Sequence, residues 1–225
     1  MLGIASASAS ATLVYNSDLA VAWNPPGNNG QVNGAFVIAN QLGNAPIELG
    51  LRAQQRRDGP VTPDPADSYF YTVRAGADDD NIPVASNRAW WNFDFSATYG
   101  SATSNVGLAD LDSLMLRIYD QGSLINTIDL LAVAAARSNT NTVQDSWNPL
   151  FGVVGVPGFT TSMTSFAYWF TLVATDGGAM AGTLMCVHTD QTSCGVPPPL
   201  PEPATLAIVG LGLAGLAVTR RRKTA

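Results

Sequence analysis

The chain of 225 residues is poor in the groups that do most protein chemistry: one lysine, one histidine, two cysteines and two glutamates. Charged residues make up only 12%, about half the usual globular share of ~25%. The one lysine, Lys223, sits at the extreme C-terminus with Arg220, Arg221 and Arg222. Everything before Pro201 therefore has seven arginines against sixteen acids, a net charge of −9. Nucleic-acid binding rests on neutralising phosphates, and an acidic body without lysine excludes it. The single histidine, His188, is the only imidazole base, and no Gly-x-Ser-x-Gly elbow accompanies it, so a Ser-His-acid triad has no support. Cys186 and His188 fall on one face of a strand, but two ligands do not make a zinc site, and His188 is expected to be a half-exposed strand residue. Glycoside hydrolysis needs two carboxylates across a cleft. The acids here are nearly all aspartates in turn-like contexts (Asp64, Asp67, Asp78, Asp79, Asp80), where Asp serves backbone hydrogen bonding. The scarcity thus argues for a protein that is not an enzyme and needs no cofactor.

What is present is a core. Hydrophobic residues make up 46%, which argues against wholesale disorder. The body is expected to span residues 12–195, and its pattern is alternation with period two between Gly, Pro, Asn and Asp clusters. Trp91, Phe93 and Phe95 alternate with Asn92, Asp94 and Ser96, which predicts a half-buried strand. Leu114, Leu116 and Ile118 alternate with Met115, Arg117 and Tyr119. Residues 69–74 alternate likewise, with Tyr69, Tyr71 and Val73 on one face. Residues 166–174 are apolar on one face and mixed on the other, as expected of a central strand. Asp176-Gly177-Gly178 then predicts a hairpin turn, with the return strand at 182–188. Shorter strands are expected at 13–15, 35–39, 47–53 and 124–130, a helix or equally a strand end near 130–137, and a loop at 56–66, where Pro60, Pro63 and Pro65 interrupt pairing. About nine strands at short spacing predict a mainly β fold, an antiparallel β-sandwich of jelly-roll type.

The two ends read differently. Residues 196–203 are a proline-rich spacer ending in Pro201-Glu202-Pro203. Residues 204–219 then carry no charge, and residues 220–225 open with Arg220, Arg221, Arg222 and Lys223. As a helix, sixteen residues would reach about 24 Å at ~1.5 Å per residue. That is short of a ~30 Å hydrocarbon core but tolerable with local thinning and snorkelling arginines. The expectation is one C-terminal transmembrane helix with the basic cluster on the cytoplasmic side. Pro201-Glu202-Pro203-Ala204-Thr205-Leu206, the glycine- and leucine-rich run at 210–215 and the closing arginines resemble the PEP-CTERM sorting signal. The resemblance covers about the last 25 residues and implies that an exosortase, a membrane cysteine transpeptidase, cuts near the motif. Here the motif residues are substrate rather than catalyst. It also implies export from a Gram-negative bacterium that makes extracellular polysaccharide. A plain membrane anchor is the alternative. At the other end, residues 1–11 alternate small residues as a signal-peptide cleavage site does, without a charged n-region. They are expected to be the remnant of a signal peptide whose start lies upstream, the alternative being a flexible low-complexity terminus.

In an exported protein, Cys186 and Cys194 are expected to form a disulfide that pins the last strand to the linker, worth about 2–3 kcal/mol. Asp78-Asp79-Asp80-Asn81 offers oxygens for calcium but lacks the spacing of an EF-hand loop, so a solvated turn is the simpler reading. Trp90, Tyr119 and Trp169 could stack on sugar rings if exposed, though aromatics in a sandwich belong more often to the core. The sequence points to an exported surface or extracellular-matrix protein with a structural or interaction role. A module binding exopolysaccharide is the second reading and a polysaccharide hydrolase the third.

Overall fold

The structure, a computed structural model, describes residues 13–25, 33–42, 46–56, 58–64, 69–77, 88–100, 106–138, 140–190 and 193–198. It is mainly β, with two sheets packed face to face. The first runs in the order β1 (Leu13–Ser17), β2 (Phe36–Ala39), β3 (Ile47–Gln55), β6 (Trp91–Tyr99), β9 (Thr142–Trp147), with the two-residue β4 (Gly59–Pro60) extending β3. The second runs β5 (Phe70–Thr72), β11 (Ala179–His188), β10 (Ala167–Asp176), β7 (Ser113–Asp120), β8 (Ser123–Asp129). All pairings are antiparallel except β5 with β11, which is parallel.

Alternation puts Leu49, Leu51, Phe93 and Phe95 of the first sheet and Leu114, Leu116, Phe170 and Leu172 of the second into one core. Phe93 and Phe170 meet across it with ring centroids 4.8 Å apart. Trp91 stacks on Phe166 at 5.5 Å, and the Tyr71 hydroxyl donates to the Ala35 carbonyl at 2.6 Å. Burying aromatics of this size dominates core energetics, each removing 150–250 Å² from water.

Most of the expected elements appear. The strand at 166–174 is β10, and it does lie centrally in its sheet. Gly177 (φ 54°) and Gly178 (φ 83°) make the β10–β11 turn, both in the left-handed region that this two-residue hairpin requires. The helix is α1 (Leu130–Ala136), capped by Asp129, whose carboxylate accepts from the Leu131 and Ala132 amides.

Among the described strands the chain crosses between the sheets five times, at β4–β5, β5–β6, β6–β7, β8–β9 and β9–β10, while β7–β8 and β10–β11 are hairpins within one sheet. Three expectations are corrected. The fold holds one parallel pair. Strand β6 is not half-buried, because Asn92, Asp94 and Ser96 on its polar face are buried too. The proline-rich stretch at 56–66 contains β4, whose Pro60 is tolerated because it sits on a sheet edge. Strand β9 escaped the sequence reading because Asp145 occupies an inward position between Val143 and Trp147 and breaks the apolar alternation. No helix among the described residues is long and apolar enough to cross a membrane. The segments at 1–11, 204–219 and 220–225 lie outside the described residues.

Candidate functional site

Three regions carry chemistry beyond the core. The first is the outer face of the six-stranded sheet. Residues 18–25 cross it as a strap, with Leu19 and Trp23 packed on Phe36 and Ile38. The strap can lie this close because Gly50 has no side chain: a Cβ there would stand 2.7 Å from a Leu19 methyl. The Leu19 amide donates to Asn33 Oδ1 at 3.0 Å, Ala20 to Glu48 Oε2 at 2.8 Å and Asn24 to Gln144 Oε1 at 2.9 Å. Beneath it Arg52 and Asp94, both fully buried, pair through Arg52 Nε and Asp94 Oδ2 at 2.7 Å. Arg52 also donates to the Gly34 carbonyl at 2.8 Å and lies over the rings of Phe36 and Trp23, 4.4 and 4.9 Å from their centroids. Burial pushes the Asp94 carboxyl above the usual carboxylate range, against the opposing pull of Arg52. Asn148 is also fully buried. It donates to the Ala89 and Trp91 carbonyls, each at 3.1 Å, and accepts from the Ala89 amide at 3.1 Å. It thereby stitches β6 to the chain following β9.

The second region is the outer face of the five-stranded sheet. Here the covering is apolar and covalent. Trp169, Leu184, Cys186 and Cys194 form a separate buried cluster, with Tyr69, Phe70 and Tyr119 against it. Cys186 and Cys194 are joined by a disulfide, as the sequence led one to expect, and the Trp169 indole N–H donates to the Cys194 carbonyl at 2.7 Å. His188 is half-buried on β11. Its Nε2 stands 3.4 Å from the Thr72 hydroxyl, and Phe70 meets its ring edge-on.

The third region is a cleft of about 350 Å³ where β10 begins. Phe166 and Tyr168 form its floor, Asp120 and Gln121 of the β7–β8 turn one wall, and Ser165 and Ser193 add hydroxyls. Burial, and then the nearby Asp120 carboxylate, raise the Tyr168 phenol above its ordinary value.

The structure separates the residues that the sequence singled out. Trp90 and Trp169 are buried rather than open to sugars, Trp90 under the Arg74 guanidinium at 4.2 Å. Tyr119 is half-buried. Among the described residues no group of three or more His, Cys, Asp or Glu could hold a metal ion. The Asp78–Asp80 run with Asn81, the sorting motif Pro201, Glu202 and Pro203, and the basic cluster Arg220, Arg221, Arg222 and Lys223 all lie outside the described residues. The sequence reading missed the Arg52–Asp94 pair, Asn148 and the cleft. A signal existed for the first: Arg and Asp in mid-strand opposite Phe93 and Phe95 are unfavourable unless each has a partner.

Compared with known proteins, the body stands alone: no curated protein and no solved structure matches the chain. The match that does emerge is confined to residues 199–223 and is the PEP-CTERM protein-sorting motif. The chain is thus an exported protein whose C-terminal tail is a PEP-CTERM signal, the substrate of an exosortase at the cell envelope.

Proposed function

We propose that this chain is a non-enzymatic surface or extracellular-matrix protein, inserted through a transmembrane helix at 204–219, cut by exosortase near Glu202 and then held at, or released from, the cell surface. The observation that carries this reading is the sorting motif at 199–223, which follows closely on the disulfide-tied end of the body. Cys194 is tied to β11 and buried, while Val196, two residues on, is 86% exposed. The last described strand, β11, ends at His188, ahead of the motif.

Intact mass of the protein recovered from the envelope and the medium of its own host tests the reading. A species lacking everything after about Glu202 supports it. A mass that retains residues 204–225 would reduce the tail to a plain anchor.

A second reading, a module that binds exopolysaccharide, is favoured by the cleft, whose carboxylate, carboxamide and hydroxyls surround an aromatic floor, the chemistry of a hydroxyl-rich neutral ligand. Saturable retention on the host's own polymer, lost in Asp120→Ala, would favour it over a purely structural role. Hydrolysis of that polymer ranks last: among the described residues Asp120 is the sole carboxylate lining the cleft, and glycoside hydrolysis uses two.

A further inference from the structure

The outer face of the five-stranded sheet buries an aromatic, Trp169, of which only 1% remains accessible. Tyr69 and Phe70 flank its ring, with centroids 5.7 and 5.5 Å away, and chain from beyond β11 adds to the cover. Among the described residues Cys194 is the one beyond β11 that joins the Trp169 cluster, and Ser193 beside it lines the cleft over Phe166 and Tyr168. Residues 193–196 have no strand pairing of their own. They are attached by the bond from Cys194 to Cys186, by the indole hydrogen bond to the Cys194 carbonyl at 2.7 Å and by a contact of Cys194 Sγ with the Tyr168 carbonyl at 3.8 Å. At Gly195 the chain turns through the left-handed region (φ 63°).

The ladder beneath is independent of this segment. Strand β11 pairs with β10 over ten residues from Ala179 to His188, and β10 pairs with β7 on its other side. The sheet therefore has its own cohesion, and the covering segment does not.

We propose that residues 193–196 are a clasp locked by the Cys186–Cys194 disulfide: it completes the closure of the outer face over Trp169 and supplies the Ser193 wall of the cleft. Reduction opens the clasp and leaves the sheets folded. In that step a dithiol delivers two electrons and two protons, the sulfur–sulfur bond is replaced by two protein thiols, and the reagent closes to a cyclic disulfide. With Cys186 fully buried and Cys194 nearly so, exchange requires the clasp to lift first, so reduction is slow in native buffer.

The test is residue-resolved oxidative footprinting of the full chain by mass spectrometry, before and after treatment with dithiothreitol and alkylation in native buffer. Trp91, also fully buried but inside the core, is the internal control. Oxidation of Trp169 is expected to rise about tenfold while Trp91 stays protected. The double variant Cys186→Ala with Cys194→Ala should show the same selective exposure without any reagent, its fold checked by circular dichroism. Trp169 remaining as protected as Trp91 once both thiols are alkylated would overturn the clasp. So would simultaneous exposure of both tryptophans, which would make the bond a condition of the whole fold. Neither result depends on whether exosortase processes the tail.

Discussion

The two outer faces of the sandwich solve one problem in opposite ways. Each sheet has a second face that would otherwise meet water, and each is covered by chain from one end of the body. On the six-stranded sheet the strap at 18–25 covers a buried ion pair, Arg52 with Asp94, and is held by hydrogen bonds and by Leu19 seated on Gly50. On the five-stranded sheet the segment at 193–196 covers Trp169 and is held by a covalent bond. The difference lies in what happens when one partner is removed. A buried charge without its counterpart is penalised heavily because no water replaces it. A severed disulfide frees chain that can then be solvated.

The largest effect is therefore expected from Asp94→Ala, which strands the Arg52 guanidinium. Urea denaturation should show a loss of about 3–5 kcal/mol, or no folded protein at all. The double replacement Arg52→Met with Asp94→Leu sharpens the comparison, since well-packed apolar residues of similar size often restore or exceed the stability of a buried pair. A double variant as unstable as Asp94→Ala would mean that the hydrogen bond to Gly34, and not the charge, is what the strap needs.

On the other face, Cys186→Ala with Cys194→Ala should cost about 2–3 kcal/mol, the loop-closure entropy of a ring this short. A loss as large as that for Asp94→Ala would erase the contrast between the faces. Trp169→Phe keeps an aromatic ring but removes the donor to the Cys194 carbonyl. It should cost about 1–2 kcal/mol, from one buried hydrogen bond and a modest void.

The smallest effect concerns pH. Burial, and then the hydrogen bond to Asp176, push the Tyr99 phenol up to about 12. An acid whose folded value lies above its unfolded value of about 10 holds its proton more tightly when folded. Stability should then fall as pH climbs from about 10 to about 12, and Tyr99→Phe should flatten part of that fall. An unchanged alkaline slope in the variant would mean that the Tyr99–Asp176 bond is absent in solution.

Much of this fold could be read from local pattern, because a strand with one face in the core writes its period directly into the sequence. Leu114, Leu116 and Ile118 announce β7, and the paired glycines 177 and 178 announce the last hairpin. Strand β9 was hidden because Asp145, which accepts from the Trp147 indole at 2.5 Å and pairs with Arg137, puts a charge where an apolar residue was expected. The polar face of β6 was misread for a related reason: alternation reveals two faces but not what is laid over the second one. The cleft was equally illegible, since its floor at 166–168, its wall at 120–121 and Ser193 are far apart in the chain.

The sequence by itself determined the address of this protein. The sorting signal is a contiguous run at 199–223, so it can be read from the sequence without reference to contacts between distant residues. The spacing of Cys186 and Cys194 likewise determined their bond. Only the tertiary structure decided that Arg52 lies beside Asp94, that Trp169 is hidden beneath Cys194, and that hairpins stay within their sheets. These depend on contacts between residues distant in sequence, and such contacts exist only once the two sheets have packed and each end of the body has been drawn across an outer face.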